Sequence, residues 1–438
     1  MLRRCLSIAM GSTAVLILVL PLYADDYELQ YKALDLRQEG IYTRTQYLRP
    51  GTRPEERLSA EPKYRSRMPI YAVATLGNDG DNRYTVVVDE SGGTGRGYDI
   101  LYVDRNNNEN LTDDPRIVGR IRRQGTSSTT GNFGPVGVMV EYDDRTVPYY
   151  FSVSYQRYGG QSIRRGARFV ENMNLSLQPS GYYAGVVSFG GSKHRIAVID
   201  FNSNGLFNEY FKPRSGVAGS GGSFYAIGDQ ILIDANSDGR FERGYPNNKE
   251  LYPYAKYVQV DGKWCSLDIA PRGGKVEVRN PSMKLGTIRI PAQLGSCSLQ
   301  LVSVNGILKF EETGNEFQVP TATYQFYGHT MEVKHSSGNW RYDTRGTASG
   351  KKFEVAEDTV LPLRFGPPLL LNLSYSTRGP GGTQPKAGDT IQLSLTFSGQ
   401  GGEQYTNIMK NGTRPPAPTY KIVDEAGKIV DKGTFEYG

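Results

Sequence analysis

Three short segments rich in Asp and Asn could bind a metal ion. In each, an Asp follows an apolar run, side-chain oxygens recur at positions three and five, and an apolar residue stands at position eight. Alternate side chains of a tightly coiled loop converge on one point, where Ca²⁺ takes about six to eight oxygen ligands. The candidate ligands are Asp104, Asn106, Asn108, Asn110, Asp113 and Asp114 in the first loop; Asp200, Asn202, Asn204 and Glu209 in the second; and Asp234, Asn236, Asp238, Arg240 (through its carbonyl) and Glu242 in the third.

These loops resemble the EF-hand-like calcium loops of dockerin and thrombospondin-type repeats over roughly a dozen residues each. Gly205 and Gly239 stand at position six, where the turn needs unusual backbone angles. Position twelve, which holds a bidentate Glu in an EF-hand, is Pro115, Phe211 or Tyr245. The resemblance therefore implies weak calcium sites that use nearby carboxylates instead. The alternative is that Asp and Asn form metal-free Asx turns at strand ends.

The sequence contains no recognisable catalytic motif, neither GxSxG, HExxH, Walker A nor GxGxxG. A pair of acids could still serve a glycoside hydrolase, and Asp89-Glu90 and Asp143-Asp144 are unspecific candidates. His194 is expected on the surface beside a turn. We therefore lean towards a protein without enzymatic activity.

Residues 1–24 have the pattern of an export signal, with Arg3 and Arg4 preceding the apolar run AVLILVL and Ala24 at the expected cleavage edge. A buried helix or a signal anchor is the alternative interpretation. Cleavage would lower the net charge from +6 to +4 and leave no membrane span. So mild a charge argues against a nucleic-acid partner. We expect a periplasmic, cell-surface or extracellular location.

The elements around the loops predict an all-β protein of tandem β-sandwich or β-meander modules, Ig-like at the C-terminus, with a short N-terminal helix. Runs such as YTVVVDE and RIAVID alternate with Gly, Asn and Asp turns. The predicted divisions are 25–69, a helix over Tyr27–Gln38 and a linker arm; 70–170, a module with the first loop; 171–283, a module with the other two; 284–372, a transthyretin- or Ig-like sandwich; and 373–438, an Ig-like unit.

The order of these parts resembles uncharacterised exported bacterial proteins. The segment FQVPTATYQFYG is similar to the VPxGxY turn of transthyretin-like sandwiches, with Ala322 in place of Gly. Cys265 and Cys297, the two cysteines beyond the signal, could form a disulfide or stay separate buried thiols.

The sequence thus predicts an exported binding or structural protein stabilised by calcium, with an exported hydrolase as the alternative. Its expected partner is a cell-surface or extracellular ligand. We expect its grouped tyrosines to take part in ordinary cross-strand packing. The alternative is that they form exposed faces, which would then be its contact surfaces. These tyrosines are Tyr149, Tyr150, Tyr155 and Tyr158, and Tyr252, Tyr254 and Tyr257. The sequence makes no prediction of oligomeric state.

Overall fold

A computed structural model describes residues 24–37, 39–78, 80, 82–94, 97–125, 128–159, 163, 165–213, 226–242, 248–290, 294–312, 315–344, 349–377 and 391–436. Within these ranges the chain is all-β and contains no helix. Except for Ala24, the predicted export signal lies outside the described residues, as does Tyr245.

Twenty strands form the first part of the chain. They are β1 Ala24–Glu28, β2 Gln30–Ala33, β3 Gln46–Leu48, β4 Ile70–Thr75, β5 Arg83–Asp89, β6 Ile100–Val103, β7 Ile117–Val118, β8 Arg120–Gln124, β9 Ser128–Glu141, β10 Thr146–Tyr158, β11 Met173–Pro179, β12 Gly181–Phe189, β13 Ser192–Ile199, β14 Lys212–Pro213, β15 Ala226–Ile227, β16 Gln230–Ile233, β17 Leu251–Pro253, β18 Tyr257–Val260, β19 Lys263–Ile269 and β20 Lys275–Arg279.

Fourteen strands follow. They are β21 Leu285–Arg289, β22 Leu294–Ser303, β23 Gly306–Glu312, β24 Glu316–Pro320, β25 Ala322–His335, β26 Gly338–Asp343, β27 Ser349–Val355, β28 Val360–Pro362, β29 Leu370–Thr377, β30 Ile391–Ser398, β31 Gln404–Tyr405, β32 Asn407–Lys410, β33 Thr419–Val423 and β34 Ile429–Thr434.

Four sheets share one hydrophobic core, and we call this part, β1–β20, the first lobe. Their strand orders are β1-β20-β19-β18, β3-β11-β10-β9-β8, β17-β16-β13-β12-β2 and β4-β5-β6-β7. The long β9–β10 hairpin has the alternating burial of a sheet with one face on the core. The predicted boundary at 170/171 falls between the paired strands β10 and β11.

The predicted helix over Tyr27–Gln38 is wrong, because this segment contains parts of two strands. Strand β1 pairs with β20, and β2 pairs with β12. Tyr27, Leu29 and Tyr31 also recur every second residue, which is the period of a strand. The segment forms strands and not a helix because the edge strands β20 and β12 are available for it to pair with.

Most of the grouped tyrosines are buried or half-buried, which agrees with cross-strand packing and not with exposed faces. Tyr149, Tyr155 and Tyr254 are at most 2% exposed, and Tyr150, Tyr252 and Tyr257 are half-buried. Among these seven, Tyr158 alone is well exposed. The rings mostly fill the core by edge-on and stacked contacts, such as Tyr31 on Tyr150.

Strands β21–β28 and β32 form the second lobe around a separate core. Its main sheet has the order β23-β22-β25-β26-β32, with β27 paired to β25, and a smaller sheet has the order β24-β21-β28. The remaining strands form a three-stranded sheet, β29-β30-β31, and the hairpin β33-β34. Among the described strands, β21 and β28 are the one parallel pair.

The lobes meet through an apolar junction. Phe211 of the first lobe packs with Ile307 and Tyr327 of the second, and Phe201 lies against this group. The Trp264 indole N–H donates to the Gln318 carbonyl at 3.1 Å. Phe201 and Phe211 flank the second Asp-rich loop, so this loop lies beside the junction.

Candidate metal centre

The three Asp-rich loops share one backbone conformation. In each, the residues at positions four and six have positive φ angles of 55–82°. Gly fills position six in two loops, whereas the first loop places Glu109 there in the same conformation. The pairs are Asn107 and Glu109, Ser203 and Gly205, and Ser237 and Gly239.

The first Asp of each loop accepts hydrogen bonds from the backbone N–H groups at positions five and six. Asp104 accepts from Asn108 at 3.0 Å and Glu109 at 2.8 Å. Asp200 and Asp234 repeat this pattern with distances of 2.7–3.3 Å. Each carboxylate therefore shapes its loop, as in an Asx turn. Asp200 also accepts from the Ser203 N–H at 2.7 Å and the Tyr149 hydroxyl at 2.6 Å, so all four of its lone pairs are used, whereas Asp104 and Asp234 keep lone pairs for a cation.

The apolar residue at position eight anchors each loop on a core, as the sequence predicts. Leu111 and Phe207 are at most 1% exposed. Phe241 is half-buried and packs edge-on against Tyr182, with ring centroids 6.3 Å apart. The loop backbone is therefore held to the β framework on its carboxyl side as well as through its first Asp.

The second loop brings its predicted ligands together most closely. The Asn202 and Asn204 amides both donate to one oxygen of Glu209, at 2.7 and 2.6 Å. The Oδ1 atom of Asn202 is buried without a hydrogen-bond partner among the described residues. A buried oxygen of this kind is costly unless an unseen group satisfies it. It fits a cation ligand at position three.

Asp229 completes the second loop, although no sequence motif marks it. Its carboxylate accepts from the N–H groups of Phe201 at 3.2 Å and Glu209 at 2.9 Å. Asp200 and Asp229 are both fully buried. Burial raises the pKa of each carboxyl, and the charge of Asp200 raises the pKa of Asp229 further. A cation here would offset the cost of burying two negative charges.

The third loop is more exposed, and its extra carboxylate is Glu250. The Asn236 amide contacts Asp238 at 3.4 Å, and the Asp238 carboxylate accepts from the Arg240 N–H at 2.8 Å. Glu250 is 2% exposed and accepts from the Glu242 N–H at 2.8 Å. Its other oxygen, Oε1, is buried without a partner among the described residues. An orphaned buried oxygen therefore also lies beside the third loop.

The first loop combines the buried Asp104 with three exposed candidate ligands, Asn106, Asn108 and Asp113. The Asn108 amide donates to Asp113 at 2.8 Å, and Asp114 accepts from the Arg105 N–H at 3.1 Å. Burial raises the pKa of Asp114. Asn110 accepts from Thr112, whereas Asn106 is exposed to solvent. The first loop has the shape of the other two without an orphaned oxygen of the kind found in or beside them.

The loops are separate from one another. Strands β13 and β16 are antiparallel neighbours, so the second and third loops lie at opposite ends of one sheet. The first loop follows β6 in another sheet. In the described part of the chain, no three His, Cys, Asp or Glu side chains converge as a metal-binding group. Any site here therefore also depends on amide and backbone oxygens.

The candidate acid pairs have structural partners. Asp89, 2% exposed, accepts from the backbone N–H groups of Arg65 and Ser66. Glu90, 1% exposed, accepts from the Gly97 N–H. Asp144 forms an ion pair with Arg272 at 2.8 Å. These contacts account for the three acids as framework residues.

An open depression of about 370 Å³ lies along β2 and β12. Its lining includes two basic residues, Lys32 and Arg195, and a single acid, Glu28. It therefore does not have the two acids that the hydrolase alternative needs.

His194 is buried, so its predicted surface position is wrong. The ring lies 3.0 Å from the Asp234 carbonyl and 2.9 Å from the Asp261 carboxylate. It is 4% exposed because β13 is a central strand of its sheet. His194 therefore supports the start of the third loop.

Cys265 and Cys297 are free thiols. Cys265 lies in the core of the first lobe and Cys297 in the core of the second. Burial raises the pKa of both thiols, that of Cys297 to about 12. Of the two alternatives, the structure has the separate buried thiols.

No protein-family model, curated protein or solved structure matches this chain. Among the described residues, no helix is long and apolar enough to cross a membrane.

Proposed function

We propose that this is an exported, non-enzymatic binding or structural protein whose β framework is stabilised by calcium bound in its Asp-rich loops. The observation that carries the proposal is the shared loop backbone, found three times, with one orphaned buried oxygen inside the second loop and another beside the third. Metal-free Asx turns account for the backbone but leave these two oxygens unsatisfied. Hard oxygen ligands on a coiled loop suit Ca²⁺.

Each loop would stabilise a different part of the framework. The second would neutralise the buried Asp200–Asp229 pair between the core and the lobe junction. The third would hold the end of β16, and the first the end of β6. The few charges in each loop suit binding in the millimolar range of extracellular modules.

A calcium-dependent thermal melt tests the proposal. At a concentration tenfold above Kd, one site adds about 1.4 kcal/mol, which raises the melting temperature of a 438-residue protein that unfolds as one unit by about 1.5 °C. We expect that rise in 10 mM CaCl₂ relative to EDTA, and a smaller one in MgCl₂ at equal ionic strength. Identical melts in calcium and EDTA would refute the proposal.

A pair of variants assigns the effect to a loop. Asp238→Asn removes an exposed loop charge but retains the oxygen that accepts from Arg240, so the calcium shift should shrink. Asp424 makes a similar turn in the C-terminal hairpin, where it accepts from Ala426 and Lys428. Asp424→Asn should therefore leave the shift unchanged.

A further inference from the structure

Glu250 lies against the third loop although it stands sixteen residues beyond the loop's first Asp. One carboxylate oxygen, Oε2, accepts from Glu242 inside the loop. The other, Oε1, has no partner among the described residues and no contact with water. Position twelve of this loop lacks the Glu of an EF-hand, so Glu250 is placed to supply the missing carboxylate from outside the loop.

The surroundings of Glu250 favour a bound cation. Its carboxylate interacts electrostatically with those of Asp234 and Glu242, and the backbone N–H groups of Glu242 and Asn236 lie against it. Two basic residues lie nearby, and both have other partners: the Arg195 guanidinium donates to the Gly239 carbonyl at 2.6 Å, and the Lys309 ammonium donates to the carbonyls of Lys249 and Leu251. In the described ranges no Lys or Arg forms an ion pair with Glu250. A divalent cation bound by Glu250 together with amide and backbone oxygens of the loop would balance the charge of Glu250.

The turn that carries Glu250 is bound by the second lobe. The Lys309 ammonium, on β23, donates to the carbonyls of Lys249 at 2.7 Å and Leu251 at 3.1 Å. It also lies 4.7 Å from the centroid of the Tyr252 ring. Lys309 is 9% exposed. A buried ammonium held by carbonyls on both sides of Glu250 links the third loop directly to the second lobe.

The same turn is joined to the loop by other hydrogen bonds. The Asn248 amide donates to the Glu242 carbonyl at 2.6 Å, and the Lys249 N–H donates to the Glu242 carboxylate at 3.1 Å. The Ile233 N–H donates to the Glu250 carbonyl at 2.9 Å. Ordering of the loop would therefore order the carbonyls that Lys309 binds.

We propose that Glu250 completes a calcium site in the third loop, and that this site stabilises docking of the second lobe through the carbonyls bound by Lys309. The inference rests on the proposed calcium function and deepens it, because calcium would then control the lobe junction. Coupling is reciprocal: docking of the second lobe through Lys309 also tightens calcium binding.

Trp264 provides a readout of the junction. Its ring lies on the first lobe, donates to Gln318 and packs edge-on against Phe310 of the second lobe, with centroids 5.6 Å apart. Trp340, the other tryptophan, is in the second lobe. A Trp340→Phe background therefore makes tryptophan fluorescence report Trp264 alone.

The experiment uses the full chain in this background, with calorimetric calcium titration and acrylamide quenching of Trp264. We expect calcium to reduce quenching in the parent protein. Glu250→Gln should weaken binding at one site about tenfold or more and abolish the change in quenching. Lys309→Met should abolish the change and weaken that site by about fivefold or more.

Glu316→Gln is the control, since Glu316 is an exposed carboxylate on the second lobe, paired with Arg289; it should match the parent. Absence of calcium binding by the parent would refute the proposed function and this inference together. Unchanged calcium binding in Glu250→Gln, with calcium still stabilising the parent, would refute the inference alone. A parent that binds calcium without any change in Trp264 quenching would refute the link to the junction.

Discussion

His329 makes the second lobe sensitive to acid. The ring is 4% exposed and lies among Phe326, Phe365 and Tyr405, and its Nε2 is 3.0 Å from the Tyr405 hydroxyl. Because that hydroxyl donates to Glu403 at 2.8 Å, the Nε2–H must donate to its oxygen. Nδ1 then carries no proton and is buried without a partner among the described residues.

Burial lowers the pKa of His329 to about 3, an effect that the charge of Asp343 opposes. Since the ordinary value is about 6.5, the unfolded chain binds the proton more tightly than the folded chain. Stability is therefore complete above pH 6.5 and is lost as pH falls towards 3. Between pH 7 and pH 5 the loss from this group is about 2 kcal/mol.

Urea unfolding of His329→Gln at pH 7, 6 and 5 measures this effect. Gln is neutral throughout and can still donate to Tyr405, so the variant should lose about 2 kcal/mol less than the parent protein over this range. His335→Gln, an exposed position on the same strand, should keep the parent's pH dependence. Equal pH dependence in His329→Gln and the parent, or a folded-state pKa near 6 by NMR, would refute the reasoning.

Two further predictions concern backbone strain and thiol access. Gly205→Ala and Gly239→Ala change the same loop position, where φ is 80° and 82°; the second should cost about 1 kcal/mol, and the first clearly more, because its Cβ would lie 2.7 Å from the Gly77 nitrogen. Equal losses in urea unfolding would contradict this. Cys265 and Cys297 should react with Ellman's reagent only in denaturant, and rapid reaction of the folded protein would show that one is accessible.

Local features of the loops could be predicted from the sequence. The Asp at position one accepts hydrogen bonds from the N–H groups four and five residues later. The same turn directs the apolar side chain at position eight towards the core. Asp229 and Glu250 could not be predicted. They reach the second and third loops through sheet pairing, and no fixed spacing records such contacts.

The all-β class was predictable because alternating β-branched and aromatic runs separated by turns recur along the chain. The errors have one physical origin, in that a residue's environment depends on strands distant in sequence. His194, for example, is covered because its strand is central in its sheet. The apolar residues of Tyr27–Gln38 fit both the period of a helix and that of a strand, and only the partner strands decide between the two.

The junction limits how the protein can be divided for expression. Ala255 belongs by sequence to the first lobe but is buried in the core of the second, and Tyr257 and Trp264 pack against that core. A fragment ending near residue 283 would expose these side chains together with Phe211 to water. A chain boundary near residue 283 therefore does not separate the two hydrophobic cores. We expect the shortened protein to be recovered from inclusion bodies.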